Sequence, residues 1–169
     1  MSEQGKAMKS ASYDSPVGAL KVWADNDGVT SLEWRLRVLP DLEPDATPDQ
    51  SRAQATANAG VAQLAEYFEG NRRSFDLPLS PKVSGFQREF GRALCDIPFG
   101  ETRTYGDLAR ELDVSPQAIG QACGANPIAI IVPCHRVLAA NGLGGFSGAG
   151  GVEAKVWLLK HEGAASLLI

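Results

Sequence analysis

Apolar and polar residues alternate through "YDSPVGALKVWADNDGVTSLEW", Tyr13 to Trp34, and "DNDG", Asp25 to Gly28, breaks the alternation with turn formers. That pattern predicts a β-hairpin over about 17–34. A stretch rich in proline and acid, Pro40 to Gln50, follows and suits a solvated loop. From Ser51 to Glu69 the period lengthens, with Val61, Leu64, Ala65 and Phe68 on one face, as in an amphipathic helix. "GNRRSFDLPLSPKVSG" then reads as a linker, which puts a domain boundary near Pro81 and divides the chain into 1–81 and 82–169.

Helical spacing returns in "FQREFGRALCDI", where Phe86, Phe90, Ala93, Leu94 and Ile97 share a face and Pro98 ends the run. "TYGDLARELDVSPQAIGQACGAN" predicts two short helices joined at Asp113 to Ser115, with Ser115 as cap and Pro116 in the first turn of the second. This is a helix-turn-helix pattern, which a helical hairpin with no DNA role would share. Gly120 and Gly124, with Ala118, Ala122 and Ala125, strip the second helix of bulk. An interior glycine costs about 1 kcal/mol relative to alanine, so something must approach that backbone closely: a neighbouring helix, or a nucleic acid. The glycine-rich loop "NGLGGFSGAGG" lacks the register of a phosphate cradle, and "VEAKVWLLKHEG" closes the chain as a helix ending at Gly163.

Composition removes several classes of function. At 169 residues, with 44% hydrophobic and 21% charged content, the chain can bury a core without disulfides, and its apolar runs are too short to span a bilayer. No apolar leader precedes a cleavage site in "MSEQGKAMKS", so a cytoplasmic location is expected. The three cysteines, Cys95, Cys123 and Cys134, form no CxxC pair, and only His135 and His161 could join them; neither a disulfide framework nor a metal site is expected. Residues 1–81 carry 12 acids against 8 bases and residues 82–169 carry 8 of each, so a polyanion meets the second half more readily.

One stretch carries candidate chemistry. "NPIAIIVPCHRV", Asn126 to Val137, sets a cysteine beside a histidine after an apolar run that predicts a buried strand. A cysteine ending a core strand accounts for it without chemistry. As a nucleophile, Cys134 would need a base, since a thiol with a pKa near 8.5 is only about 3% ionised at pH 7. Adjacent side chains on a strand point to opposite faces, so His135 reaches Cys134 only if the chain turns or a water links them. A carboxylate of the last helix, Glu162, could orient the histidine. Cysteine, histidine and carboxylate together fit peptidase, acyltransferase or alkyl-transfer chemistry.

"IVPCHRV", with "PFGETRTYGDLA", "GANPIAIIVPCHRV" and "KVWLLKHEG" in order across Phe86 to Gly163, resembles the O6-alkylguanine-DNA alkyltransferases, and "DSPVGAL" resembles the start of that family's N-terminal domain. The resemblance implies a small ribonuclease-H-like α/β N-terminal domain and a mostly helical, winged-helix-like C-terminal domain containing the helix-turn-helix. It implies direct-reversal repair, in which Cys134 takes an alkyl group from O6 of a flipped guanine in double-stranded DNA and keeps it, with no cofactor. The protein would act as a monomer. His135 corresponds to the base, Glu162 to the acid behind it, Tyr105 to the tyrosine that donates to the guanine ring, and Asn126 to the asparagine that ties the DNA-reading helices to the active-site segment. The DNA face would comprise Gln117, Ala118, Gly120, Gln121, Ala122, Gly124 and Arg136. The alkylguanine pocket would comprise Val137 through its carbonyl, Phe146, Ser147 and Lys155.

The sequence departs from the family pattern at Gln117, where an arginine commonly fills the gap left by the flipped base, and at Phe146, where a tyrosine is common in a shorter loop. A lesion-binding sensor lacking the reactive cysteine, and an unrelated thiol hydrolase, are the competing functions; Cys134 argues against the first, and the small-residue helix against the second.

Overall fold

The computed structural model describes residues 7–35, 51–140, 142–144 and 150–164. They fall into two compact units, Met1–Lys82 and Val83–Ile169. The first is an antiparallel sheet in the order β1 (Lys9–Ser15), β2 (Gly18–Asp25), β3 (Gly28–Arg35), covered by helix α1 (Arg52–Phe68). The predicted hairpin is β2 and β3. Its turn forms because Asp25 Oδ1 accepts from the backbone N–H groups of Asp27 (2.8 Å) and Gly28 (3.1 Å).

Strand β1 was not legible in the alternation, since "KSASYDS" offers Tyr13 as its one large apolar residue. It is held by pairing with β2 from Lys9↔Ala24 to Ser15↔Gly18. Helix α1 starts at Ser51, whose side chain accepts from the Gln54 N–H, and buries Ala57, Gly60 and Leu64. Gly60 is required there: a Cβ would stand 2.9 Å from Val22 Cγ1. The predicted linker is partly structured, because Val29 N–H donates to Pro78 O and Ser80 N–H to Val29 O, adding a short parallel bridge to β3. The predicted loop at 40–50 lies outside the described residues.

The second unit contains α2 (Gly85–Cys95), β4 (Arg103–Thr104), α3 (Tyr105–Leu112), α4 (Pro116–Gly124), a 3₁₀ turn (Cys134–Arg136), β5 (Val137–Leu138) and α5 (Gly151–His161). Its core includes Phe90, Leu94, Leu108, Ile119, Ile128, Ile130, Leu158 and Leu159. The α3–α4 pair is the predicted helix-turn-helix. Thr104 and Asp107 form a reciprocal cap at its start, Asp113 takes the left-handed conformation (φ 57°, ψ 51°), and Ser115 caps α4.

The strand predicted for the apolar run does not form. Residues 128–132 make a tight reversal instead: Val132 N–H donates to Ile128 O (2.8 Å), Ala129 bridges Val132, and Ile130 sits at φ 73°. A left-handed β-branched residue is strained by on the order of 1–3 kcal/mol. The buried side chains of Ile128 and Ile130 and the bonds across the turn hold it.

Candidate active site

Three devices, one long-range and two local, bring the candidate residues together. The parallel pairing Arg103↔Val137 and Thr104↔Leu138 sets the start of α3, and with it Tyr105, beside the segment that follows Cys134. Asn126, just past α4, accepts from the Ile128 N–H (3.1 Å) and donates from Nδ2 to Val132 O (2.8 Å), closing the reversal that precedes Cys134. The 3₁₀ turn then rotates His135 and Arg136 so that adjacent residues converge on one carboxylate, which a strand would forbid.

That carboxylate is Glu162, at the end of α5. His135 Nε2 lies 2.7 Å from its Oε2; Arg136 Nε donates to Oε1 (2.8 Å) and Nη2 to Oε2 (3.0 Å). Arg136 Nη1 donates to Ile97 O (2.6 Å). His135, Arg136 and Glu162 are all buried. Burial alone would push the Glu162 carboxyl up, but the bonds and charges of His135 and then Arg136 outweigh it and hold it far below the usual carboxylate range. His135 is pushed down, first by burial, with the pull of Glu162 opposing. A neutral imidazole donating from Nε2 to Glu162 leaves Nδ1 with its lone pair, and Nδ1 is buried without a hydrogen-bond partner among the described residues.

Cys134 is buried. Burial raises its pKa, against the lowering effects of the Asn126 side chain and of the Lys155 charge. The thiol is therefore protonated at rest. His135 Nδ1 makes no direct bond to it. Lys155, expected to line the substrate pocket, is fully buried and braces the chain, donating to Val137 O (2.7 Å) and Leu143 O (2.6 Å). The Val137 carbonyl is thus engaged by a lysine.

Comparison with known proteins turns this geometry into a family. Residues 85–164 match the family described as 6-O-methylguanine DNA methyltransferase, DNA binding domain, and residues 8–81 match its ribonuclease-like domain. The chain belongs to the 6-O-methylguanine DNA methyltransferase family. It is 39% identical over 157 residues to a methylated-DNA–protein-cysteine methyltransferase of Methanosarcina acetivorans, covering 91% of this chain and 97% of the relative. It is 42% identical over 152 residues to one from Mycolicibacterium paratuberculosis, covering 88% of each. The Mycobacterium tuberculosis protein solved in complex with DNA superposes with a TM-score of 0.75 at 37% identity, covering 92% of this chain and 93% of that one. The protein is a methyltransferase that repairs DNA by direct reversal, moving an alkyl group onto a cysteine of its own.

On the methyltransferase's helix α4, Gln117, Gly120, Gln121 and Gly124 are exposed and Ala118 is half-buried. A Cβ at Gly120 or Gly124 would meet nothing within 4 Å, so no neighbouring helix accounts for them. Two residues expected on the DNA face are elsewhere. Ala122 packs in the core, because it lies a turn from Ile119 on the inner side of α4, and its carbonyl accepts from Gln87 Nε2. Arg136 is withdrawn into the Glu162 pair. Tyr105 packs against the backbone of Gly144, where a Cβ would come within 2.7 Å of its hydroxyl. Phe146 and Ser147 lie outside the described residues. The bracing by Lys155 and the Gly144 contact carry no local signal in the sequence; the three-residue distance between Cys123 and Asn126 is the local sign that Cys123, at the end of α4, lies near Cys134.

Proposed function

We propose that Cys134 is the acceptor and that its substrate is O6-alkylguanine in double-stranded DNA. The thiol proton passes through a bridging water to His135 Nδ1, the sulfur attacks the alkyl carbon, and the carbon–O6 bond breaks with its electron pair returning to the guanine. The proton taken from the thiol restores the guanine, with Tyr105 donating to the ring as negative charge develops. The product is a thioether, so each molecule acts once. The observation that carries this reading is the His135 ring, fixed by Glu162 with a buried Nδ1 that has no hydrogen-bond partner among the described residues, next in the chain to a buried thiol whose pKa is raised.

The bare face of α4, Gln117, Ala118, Gly120, Gln121 and Gly124, enters the minor groove, where side-chain bulk would hold the backbone away. The base leaves the stack, since an in-line attack on a stacked O6 is blocked, and Gln117 fills the gap. The protein works as a monomer in the cytoplasm, where a reducing environment keeps Cys134 a free thiol. Incubation with a duplex carrying one O6-methylguanine tests the reading by intact mass. The protein gains one methylene, and Cys134→Ser gains none; binding without any mass change overturns it.

A further inference from the structure

We propose that Arg136 is a positioning residue for alkyl transfer: its guanidinium fixes the plane of Glu162 and offsets that carboxylate's pull on the His135 proton, so that Nδ1 stays an acceptor. The inference rests on the reading of His135 as the relay base. Arg136 grips both oxygens of Glu162 and anchors its third nitrogen on Ile97 O, ahead of Pro98, so the carboxylate has one orientation for His135 to meet. The Phe99 ring lies 6.0 Å from the guanidinium and closes that side. A buried glutamate paired with histidine alone would favour the charged imidazolium, which has no lone pair to take the thiol proton.

The charges around His135 come from several elements. Lys155 lies on α5 and Glu162 caps its C-terminus, and Arg136 belongs to the turn of His135 itself. Cys134 lies in that turn and Cys123 on α4, both thiols held neutral by burial. Cys95, at the end of α2, faces Arg136 with Asp96 beside it, and its thiol is likewise raised. His161 stacks on Trp157 and meets Phe99 edge-on. Two cations, Arg136 and Lys155, therefore oppose one carboxylate. Lys155 donates to the carbonyls of Val137 and Leu143, while Arg136 bonds both oxygens of Glu162.

The test is the pH profile of single-turnover methyl transfer from an O6-methylguanine duplex for the wild type, Arg136→Lys, Arg136→Met and Arg136→Met with Glu162→Gln. Arg136→Met moves the acid limb to higher pH by about one unit or more. Arg136→Lys keeps the charge and leaves the limb near the wild-type position while slowing transfer. The double variant, with no carboxylate to offset, returns the limb toward lower pH. An NMR titration of His135 in each free protein reads the same ordering without any transfer, so a failure of the alkyl-transfer reading is separable. Folding is checked by the dispersion of the same spectra, and if Arg136→Met is unfolded the Arg136→Lys and double-variant titrations carry the test. An acid limb and a His135 titration unmoved by Arg136→Met, or moved equally by Arg136→Lys, overturn the proposal.

Discussion

The turn at Cys134–Arg136 and the helix α4 are separated by one short reversal, and they obey opposite rules. In the turn, two cationic or protonatable side chains and a carboxylate are buried together and bonded to one another. On the exposed face of α4 there is no charge, and two glycines face open space. Burying ions is a poor way to stabilise a fold, and interior glycines weaken a helix. Both regions thus carry a stability cost, and the proposed function uses each: fixed proton geometry in one, close approach of a large partner in the other.

Breaking the buried cluster has the largest expected effect. Glu162→Ala leaves Arg136 buried without its carboxylate and lowers stability by about 3–5 kcal/mol, measured by urea denaturation. An unchanged midpoint would mean that the cluster is hydrated and not held. Acid reaches the same groups more gradually. His135 has a folded pKa below its unfolded value of about 6.5, so its contribution is present above that pH and is lost as pH falls toward the folded value. Glu162, also depressed, adds its own loss below about pH 4.3. In alkali the sign reverses: burial raises Cys134, and pushes Cys123 up to about 12, so their contribution erodes once the unfolded thiols ionise near pH 8.5. Denaturation midpoints between pH 4 and 10 check both limbs.

The bare helix responds in the opposite direction. Gly120→Ala fills open space in a helix interior and raises stability by about 1 kcal/mol, while weakening duplex binding. Stabilisation with unchanged binding would remove α4 from the DNA interface. The smallest effect is expected from Gln117→Arg, at the exposed start of the helix. It steepens the salt dependence of duplex binding by about one ion and speeds repair of duplex substrate, read by fluorescence anisotropy and single-turnover assay.

The helices of this protein were legible because their caps and periods are local: Ser51, Ser84 and Ser115 cap three of them, and Asp113 supplies the left-handed turn. The β2–β3 hairpin was legible for the same reason. Strand β1 and the two-residue pair β4–β5 were not, because long-range pairing holds them and their own composition does not. The apolar run 128–132 has the composition of a strand; only the bonds from Asn126 and the packing of Ile130 turn it back. At the site, Cys134, His135 and Glu162 could be named from motif and spacing. The inward turn of Arg136 could not, since a basic residue in a protein that meets DNA invites a phosphate partner, and only the 3₁₀ geometry shows that it serves Glu162. That Lys155 donates to two backbone carbonyls was not legible either, because both bonds reach distant parts of the chain.

In the proposed reaction one thiol among three receives the alkyl group, chosen by the relay through His135 and not by exposure. Cys95 is exposed, Cys123 is half-buried, and Cys134 is buried. Peptide mapping by tandem mass spectrometry, after one turnover with a duplex containing O6-methylguanine, reads the choice directly. The methyl group is expected on the peptide containing Cys134, with Cys95 and Cys123 unmodified; methylation of Cys95 or Cys123, with Cys134 untouched, would rule out Cys134 as the acceptor.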